Sequence, residues 1–129
     1  MGRSVSVIIL LKEDKLLIQH RSEDAKRSAG LWGLFGGGIE EDETPLDAVF
    51  RETKEELGYD LKDPSPVWTQ EFRPGEFKYV FAESYDGVQE LILGEGQAMR
   101  WCTIEEARQL DMIKHDFPVL EKAAEIFGL

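Results

Sequence analysis

The stretch GGGIEEDETPLDAVFRETKEELGY, residues 36–59, constrains this chain more than any other segment, because it carries the start and the stop of one helix. Thr44 is a good N-cap, since its hydroxyl can accept from an otherwise orphaned amide of the first turn. Pro45 suits the first helical position, and Asp47, three residues past the cap, completes a near capping box. Gly58 follows the last apolar residue as a C-terminal stop. At about 100° per residue Leu46, Val49, Phe50, Thr53 and Leu57 share one arc, which predicts the buried face. Glu52, Glu55 and Glu56 share the opposite arc.

Eight carboxylates fall between Glu40 and Glu56, directly after Gly36, Gly37 and Gly38. Like charges three and four residues apart destabilise a helix by a few tenths of a kcal/mol per pair. So concentrated a stripe needs either solvent or cations, and a plain solvated face is the ordinary reading of such a run. Two features favour cations. Arg51, four residues before Glu55, supplies an internal partner, and Ala48 beside the acidic arc would leave room for a ligand. Three carboxylates on adjacent turns are hard oxygen donors of the kind Mg²⁺ or Mn²⁺ prefers. The glycines, lacking Cβ atoms, can turn sharply and bring backbone groups close to a metal or a phosphate. The Lys-Ser/Thr of a Walker loop is missing.

Around this centre the periodicity predicts strands over residues 4–11 and 15–20, a short apolar strand in LWGLF, and further strands in VWTQEF, FKYVFAES and QAMRWC. TIEEARQL and the segment after Pro118 read as closing helices. Strands on both sides of one long helix suggest an α/β class, a mixed sheet between helices, as one domain over residues 1–129. The net charge of −11 argues against a nucleic-acid polymer or an anionic membrane as a general partner. A single cysteine, Cys102, allows no intramolecular disulfide and suits a reducing cytoplasm. Beside Trp101 it reads as a small buried hydrophobe; Trp32 and Trp101 read as core.

The residues Gly37, Glu43, Arg51, Glu52, Thr53, Glu55, Glu56, Gly58 and Tyr59 fit G-x5-E-x7-R-E-U-x-E-E-x-G-U, with U a bulky apolar residue. This resembles the Nudix box, with every glycine, acid and arginine at its spacing. Thr53 and Tyr59 depart mildly at the apolar positions, and Phe35 stands where many members have proline. The resemblance implies the Nudix fold and hydrolysis of a nucleoside diphosphate linked to another group. It implies that Glu52, Glu55 and Glu56 with the Gly36 carbonyl hold Mg²⁺ or Mn²⁺, that Arg51 and Glu43 orient the carboxylates, and that Gly37 and Gly38 lie against substrate.

More loosely, HRSEDAKRSAGLWGLFGGG, EGQAMRW and HDFPVL resemble segments of MutT-type nucleoside triphosphatases. That likeness implies Arg21 and Lys26 near the nucleotide and Glu95 as a further metal ligand or general base. Asp116 takes the place of an Asn that reads the purine edge. An Asp accepts only when ionised and donates only when protonated, so base preference can differ. The expected reaction converts a nucleoside triphosphate, with 8-oxo-dGTP the best single choice, to monophosphate and pyrophosphate. A nucleotide sugar of the ADP-ribose type, a dinucleoside polyphosphate, or a non-catalytic nucleotide sensor are the alternatives. The partner is a small nucleotide, and the protein a monomer or homodimer.

Overall fold

The computed structural model describes residues 3–94 and 96–129, so Glu95 lies outside the described residues. Strands β1 (Val5–Lys12), β2 (Lys15–His20), β3 (Trp32–Gly33) and β4 (Phe35–Gly38) lead to helix α1 (Pro45–Leu57). The hairpin β5 (Ser65–Arg73) and β6 (Glu76–Ser84) follows, then β7 (Ala98–Cys102), α2 (Ile104–Arg108) and α3 (Phe117–Phe127). The order across the sheet is β3-β2-β1-β6-β5, with β4 also paired to β1 and β7 to β2. β1 runs parallel to β6 and antiparallel to β2 and β4, so the sheet is mixed.

Alternation along β1 builds two cores, because successive side chains leave a strand on opposite faces. Ile8 and Leu10 pack with Phe35, Val49 and Leu57 under α1. Val7, Ile9 and Leu11 pack with Ala107, Leu120 and Ala123 under α2 and α3. The expected α/β arrangement, a mixed sheet sandwiched between helices, is therefore present.

Phe35, which the sequence left unexplained, is 1% exposed and fills the α1-side core opposite Ile8. Tyr59 is buried, and its hydroxyl accepts from the Asp86 amide at 3.0 Å. Thr53 is buried too, with no partner for its hydroxyl among the described residues. Cys102 lies in the other core, where burial pushes its thiol up to about 11.

Two expectations need correction. The triple glycine is not a turn: Gly36, Gly37 and Gly38 pair in register with Val7, Ser6 and Val5 as part of β4, while the apolar strand expected in LWGLF is split. The helix is also rotated from its anticipated orientation. Leu46 and Phe50 are 44% and 37% exposed, whereas Ala48, Val49, Thr53 and Leu57 are buried. Ala48, Glu52 and Glu56 follow each other at i, i+4 and i+8, one row beside Val49, Thr53 and Leu57. Part of the acidic stripe thus faces inward with the apolar row, and Ala48 is packed against protein.

Candidate active site

The caps that the sequence marks fix α1 in place. Thr44 accepts from the Asp47 amide at 3.1 Å, and Asp47 accepts from the Thr44 amide at the same distance. Gly58 ends the helix at φ 65°, a left-handed conformation that favours glycine. This presents Arg51 to the loop before the helix. Its guanidinium grips Glu43 through Nε at 2.6 Å and Nη2 at 2.8 Å, and donates to the Gly38 carbonyl at 3.1 Å. The same group reaches Glu52 at 2.9 Å and Glu55 at 3.3 Å. A bidentate pair of this kind is geometrically specific as well as strong. The Arg51 guanidinium and the Glu40 amide hold the Glu43 carboxyl down at about 2.

Glu52 and Glu56, one helical turn apart, bring their carboxyls together beneath β4. Burial, then the neighbouring Glu52 charge and a hydrogen bond to it, push Glu56 up to about 8, against the pull of the Gly36 amide. At Gly37 close approach demands the missing side chain, since a Cβ there would stand 2.6 Å from the Glu52 carboxylate. Gln19, 5% exposed on β2, sits beside this pair, with Nε2 3.1 Å from the Leu34 carbonyl and 3.5 Å from Glu56 Oε2.

A pair of hard carboxylates held together at the cost of raising one of them fits a divalent cation, which would remove the repulsion. Glu55 is different, because its side chain is 58% exposed and drawn to Arg51. Among the described residues no three acidic, histidine or cysteine side chains gather into a ready cage. Two of the three expected ligands converge, and the Gly36 contribution visible here is its amide to Glu56 rather than its carbonyl. Gly94 and Gly96 lie against this site: the Gly94 amide donates to the Glu56 carbonyl at 2.8 Å, and Gly96 lies against Gln19.

Two clefts border these residues. One, of about 620 Å³, is lined by Gln19, Glu56, Arg21 and Lys26. The other, of about 190 Å³, lies on the α3 side of the sheet, with Gly36, Gly37, Lys78, His115 and Asp116 among its walls. Arg21 lines both. Asp116 is not free to turn within this pocket. It is 6% exposed, accepts from the Leu34 amide at 3.1 Å, and pairs with the buried Lys78 ammonium at 2.5 Å. Lys78 also meets His115 Nδ1 at 2.7 Å, and His115 packs on Phe72. Burial acts to raise Asp116, but His115, Lys78 and the Leu34 amide outweigh it and hold the carboxyl below its ordinary range.

Sequence reasoning passed over Gln19 and Lys78. Their signal is a polar residue at an inward position of an alternating strand: Lys78 shares its face with Val80 and Ala82, and Gln19 shares its face with Leu17.

The model of the NUDIX domain matches residues 1–123, and the chain belongs to the Nudix family. It is a Nudix hydrolase. The CTP pyrophosphohydrolase of Escherichia coli K12 is 32% identical over 121 residues, covering 91% of this chain and 87% of that protein. A MutT-like protein of Streptomyces ambofaciens is 29% identical over 128 residues, covering 98% of this chain and 71% of the relative. The crystal structure of a MutT Nudix hydrolase from Burkholderia pseudomallei superposes with a TM-score of 0.80 at 22% identity, over 95% of this chain and 98% of the other, a likeness of fold.

The paired carboxylates predict a thermal signature. Mg²⁺ or Mn²⁺ at about 100 times its Kd should raise Tm by roughly 5–10 °C, since binding to the native state alone contributes about 2.7 kcal/mol. The rise should be larger at pH 9 than at pH 6, because a protonated Glu56 must lose its proton to a metal. A calorimetric scan with no shift at millimolar metal would remove the cation from this site.

Proposed function

We propose that this single-domain chain is a Mg²⁺- or Mn²⁺-dependent nucleoside triphosphate pyrophosphohydrolase, which adds water across the bridge between the α- and β-phosphates to give a nucleoside monophosphate and pyrophosphate. The observation that carries the reading is the Glu52–Glu56 pair, braced by Arg51 and reached from the Gly36–Gly37 strand, next to a pocket of nucleoside size. Divalent metal held there would neutralise phosphate charge and lower the pKa of an attacking water. The protein's own part is orientation. Arg51 fixes Glu52, the Gly36 amide and Gln19 aim Glu56, and Arg21 with Lys26 lines the cleft where a polyphosphate chain would lie. Divalent metal on Glu52 and Glu56 would also offset their charge, so that a chain of net charge −11 could take a polyanionic substrate.

The base preference follows from Asp116. Lys78 and the Leu34 amide favour its ionised form, which only accepts hydrogen bonds. Such a group selects a base edge that donates, as the exocyclic amine of cytosine and N7–H of 8-oxoguanine do, over the O4 carbonyl of uracil. CTP thus joins 8-oxo-dGTP as a preferred substrate, in line with the Escherichia coli relative. The test is a panel of CTP, 8-oxo-dGTP, UTP, ADP-ribose and a dinucleoside polyphosphate with Mg²⁺, scored for monophosphate, pyrophosphate and phosphate. CTP and 8-oxo-dGTP should exceed UTP in kcat/KM by about tenfold, the range expected for one mispaired polar contact. Turnover confined to ADP-ribose, or none with any nucleotide, would replace the reading by one of the alternatives.

A further inference from the structure

Lys78 does more than face the charge of Asp116, because it also decides which nitrogen of His115 carries the proton. An ammonium has three N–H donors and no acceptor. The three are taken by Asp116 Oδ1, by the His115 carbonyl at 3.2 Å and by His115 Nδ1 at 2.7 Å. Nδ1 can therefore only accept, and the proton of the neutral ring sits on Nε2. A flipped ring would turn a C–H toward the lysine and forfeit the contact. Phe72 packs on the same ring with centroids 5.1 Å apart. The backbone that carries it is fixed as well, by Ile113 N to the Trp32 carbonyl at 2.9 Å and by Asp116 N to the Ile113 carbonyl at 3.0 Å. Nε2, on the ring edge away from Lys78, has no partner among the described residues, and the side chain is 35% exposed where it lines the pocket on the α3 side.

Two neighbouring side chains thus present opposite chemistry to one pocket. Asp116, 6% exposed, accepts, and His115, nearer the mouth, donates through Nε2. Neither can exchange roles, since Lys78 holds the carboxylate ionised and the imidazole in one tautomer. A base whose outermost substituent reaches the deeper residue meets the two in a fixed order. On cytosine the 4-amino group donates to Asp116, and N3, the next atom along that edge, accepts from His115. Uracil offers O4 and N3–H in those places and is wrong at both.

We infer that His115 is a second specificity-determining residue of this pocket, donating from Nε2 to an unprotonated ring nitrogen beside the amine bound by Asp116. The inference rests on the proposed nucleotide reading and on Asp116 as a contact to the base. Lys78 is a positioning residue for both, acting on the base only through them.

Isothermal titration of the full chain in EDTA compares CMP with two analogues, each altered at one of the two atoms. 3-Deaza-CMP has C–H in place of N3 and keeps the amine, while the pyrimidin-2-one ribonucleotide keeps N3 and lacks the amine. CMP should bind about tenfold more tightly than 3-deaza-CMP, the range for one unpaired polar contact. His115→Phe, which keeps a ring against Phe72, should bring that ratio close to one while CMP remains preferred over the pyrimidin-2-one. Nitrogen chemical shifts of the metal-free wild type at pH 8 should show His115 protonated on Nε2 and not on Nδ1, a readout that needs no variant to fold. Equal binding of CMP and 3-deaza-CMP, a tenfold ratio that survives in His115→Phe, no binding of any of the three, or a proton on Nδ1 overturns the inference. Equal binding of CMP and the pyrimidin-2-one, with the penalty for 3-deaza-CMP intact, supports His115 and takes Asp116 out of base recognition. Hydrolysis is scored in the separate metal-dependent panel, so failure of the proposed reaction and failure of this contact are told apart.

Discussion

Glu56→Gln should lower kcat by about three orders of magnitude and at the same time stabilise the metal-free protein at alkaline pH. The first effect follows because the amide keeps the shape but removes a carboxylate charge from the candidate metal site, and such electrostatic groups contribute on the order of 10²–10³ or more in rate. The second follows from proton linkage. In the folded, metal-free chain Glu56 is pushed from its ordinary 4.5 up to about 8 by burial and by Glu52. Between those values the folded protein binds a proton that the unfolded chain does not, so stability is full at low pH and is lost as pH rises through about 8. Glutamine cannot ionise and should abolish that loss. Thermal melts from pH 5 to pH 9 in EDTA, alongside single-turnover kinetics with Mg²⁺, read both effects. Near-wild-type turnover would remove Glu56 from the reaction, and an unchanged pH profile of Tm would mean that its burial is relieved by water. Glu55→Gln should change the metal-free melts little, because that side chain is mostly exposed and pairs with Arg51 at the surface.

How far the site could be read from sequence depended on whether its signals were local. The caps of α1, the stop at Gly58 and the Arg51–Glu55 pair are set by spacings within one helix, and each appears where those spacings put it, whereas the Arg51–Glu43 brace was implied only by the family resemblance. The orientation of the helix was not local information. A wheel separates Leu46 and Phe50 from the acids, but which row faces inward is decided by what lies beneath it, namely the Cβ-free β4 strand and Gln19 from β2. The glycine segment misled for the same reason: three glycines have no intrinsic preference for a strand, and it is pairing with Val5–Val7 that extends them. Phe35 could not be explained before β4 was known to cross β1 at Ile8. Asp116 shows the longest reach, since its partners Lys78 and the Leu34 amide lie 38 and 82 residues away in the chain.

Lys78→Met should be the most damaging substitution for folding among these residues. The ammonium is 2% exposed and is the charge that faces Asp116, so its loss strands a buried carboxylate. Breaking one side of a buried ion pair costs about 3–5 kcal/mol, a fall in Tm of roughly 10–20 °C for a domain of this size. Asp116→Asn should cost less. Burial already draws Lys78 below its ordinary pKa, so the lysine can shed its proton, and the Asn oxygen can still accept from the Leu34 amide. The double variant Lys78→Met/Asp116→Asn should recover much of the lost stability, giving a coupling energy of the sign and size expected for residues in direct contact. The same set of proteins reads the base pocket. In either background the side-chain amide introduced by Asp116→Asn offers a donor as well as an acceptor, so the preference for CTP over UTP should shrink while turnover on the better substrate changes less. Additive stabilities in the cycle would show that the pair contributes no coupling, and an unchanged CTP-to-UTP ratio in Asp116→Asn would take Asp116 out of base recognition.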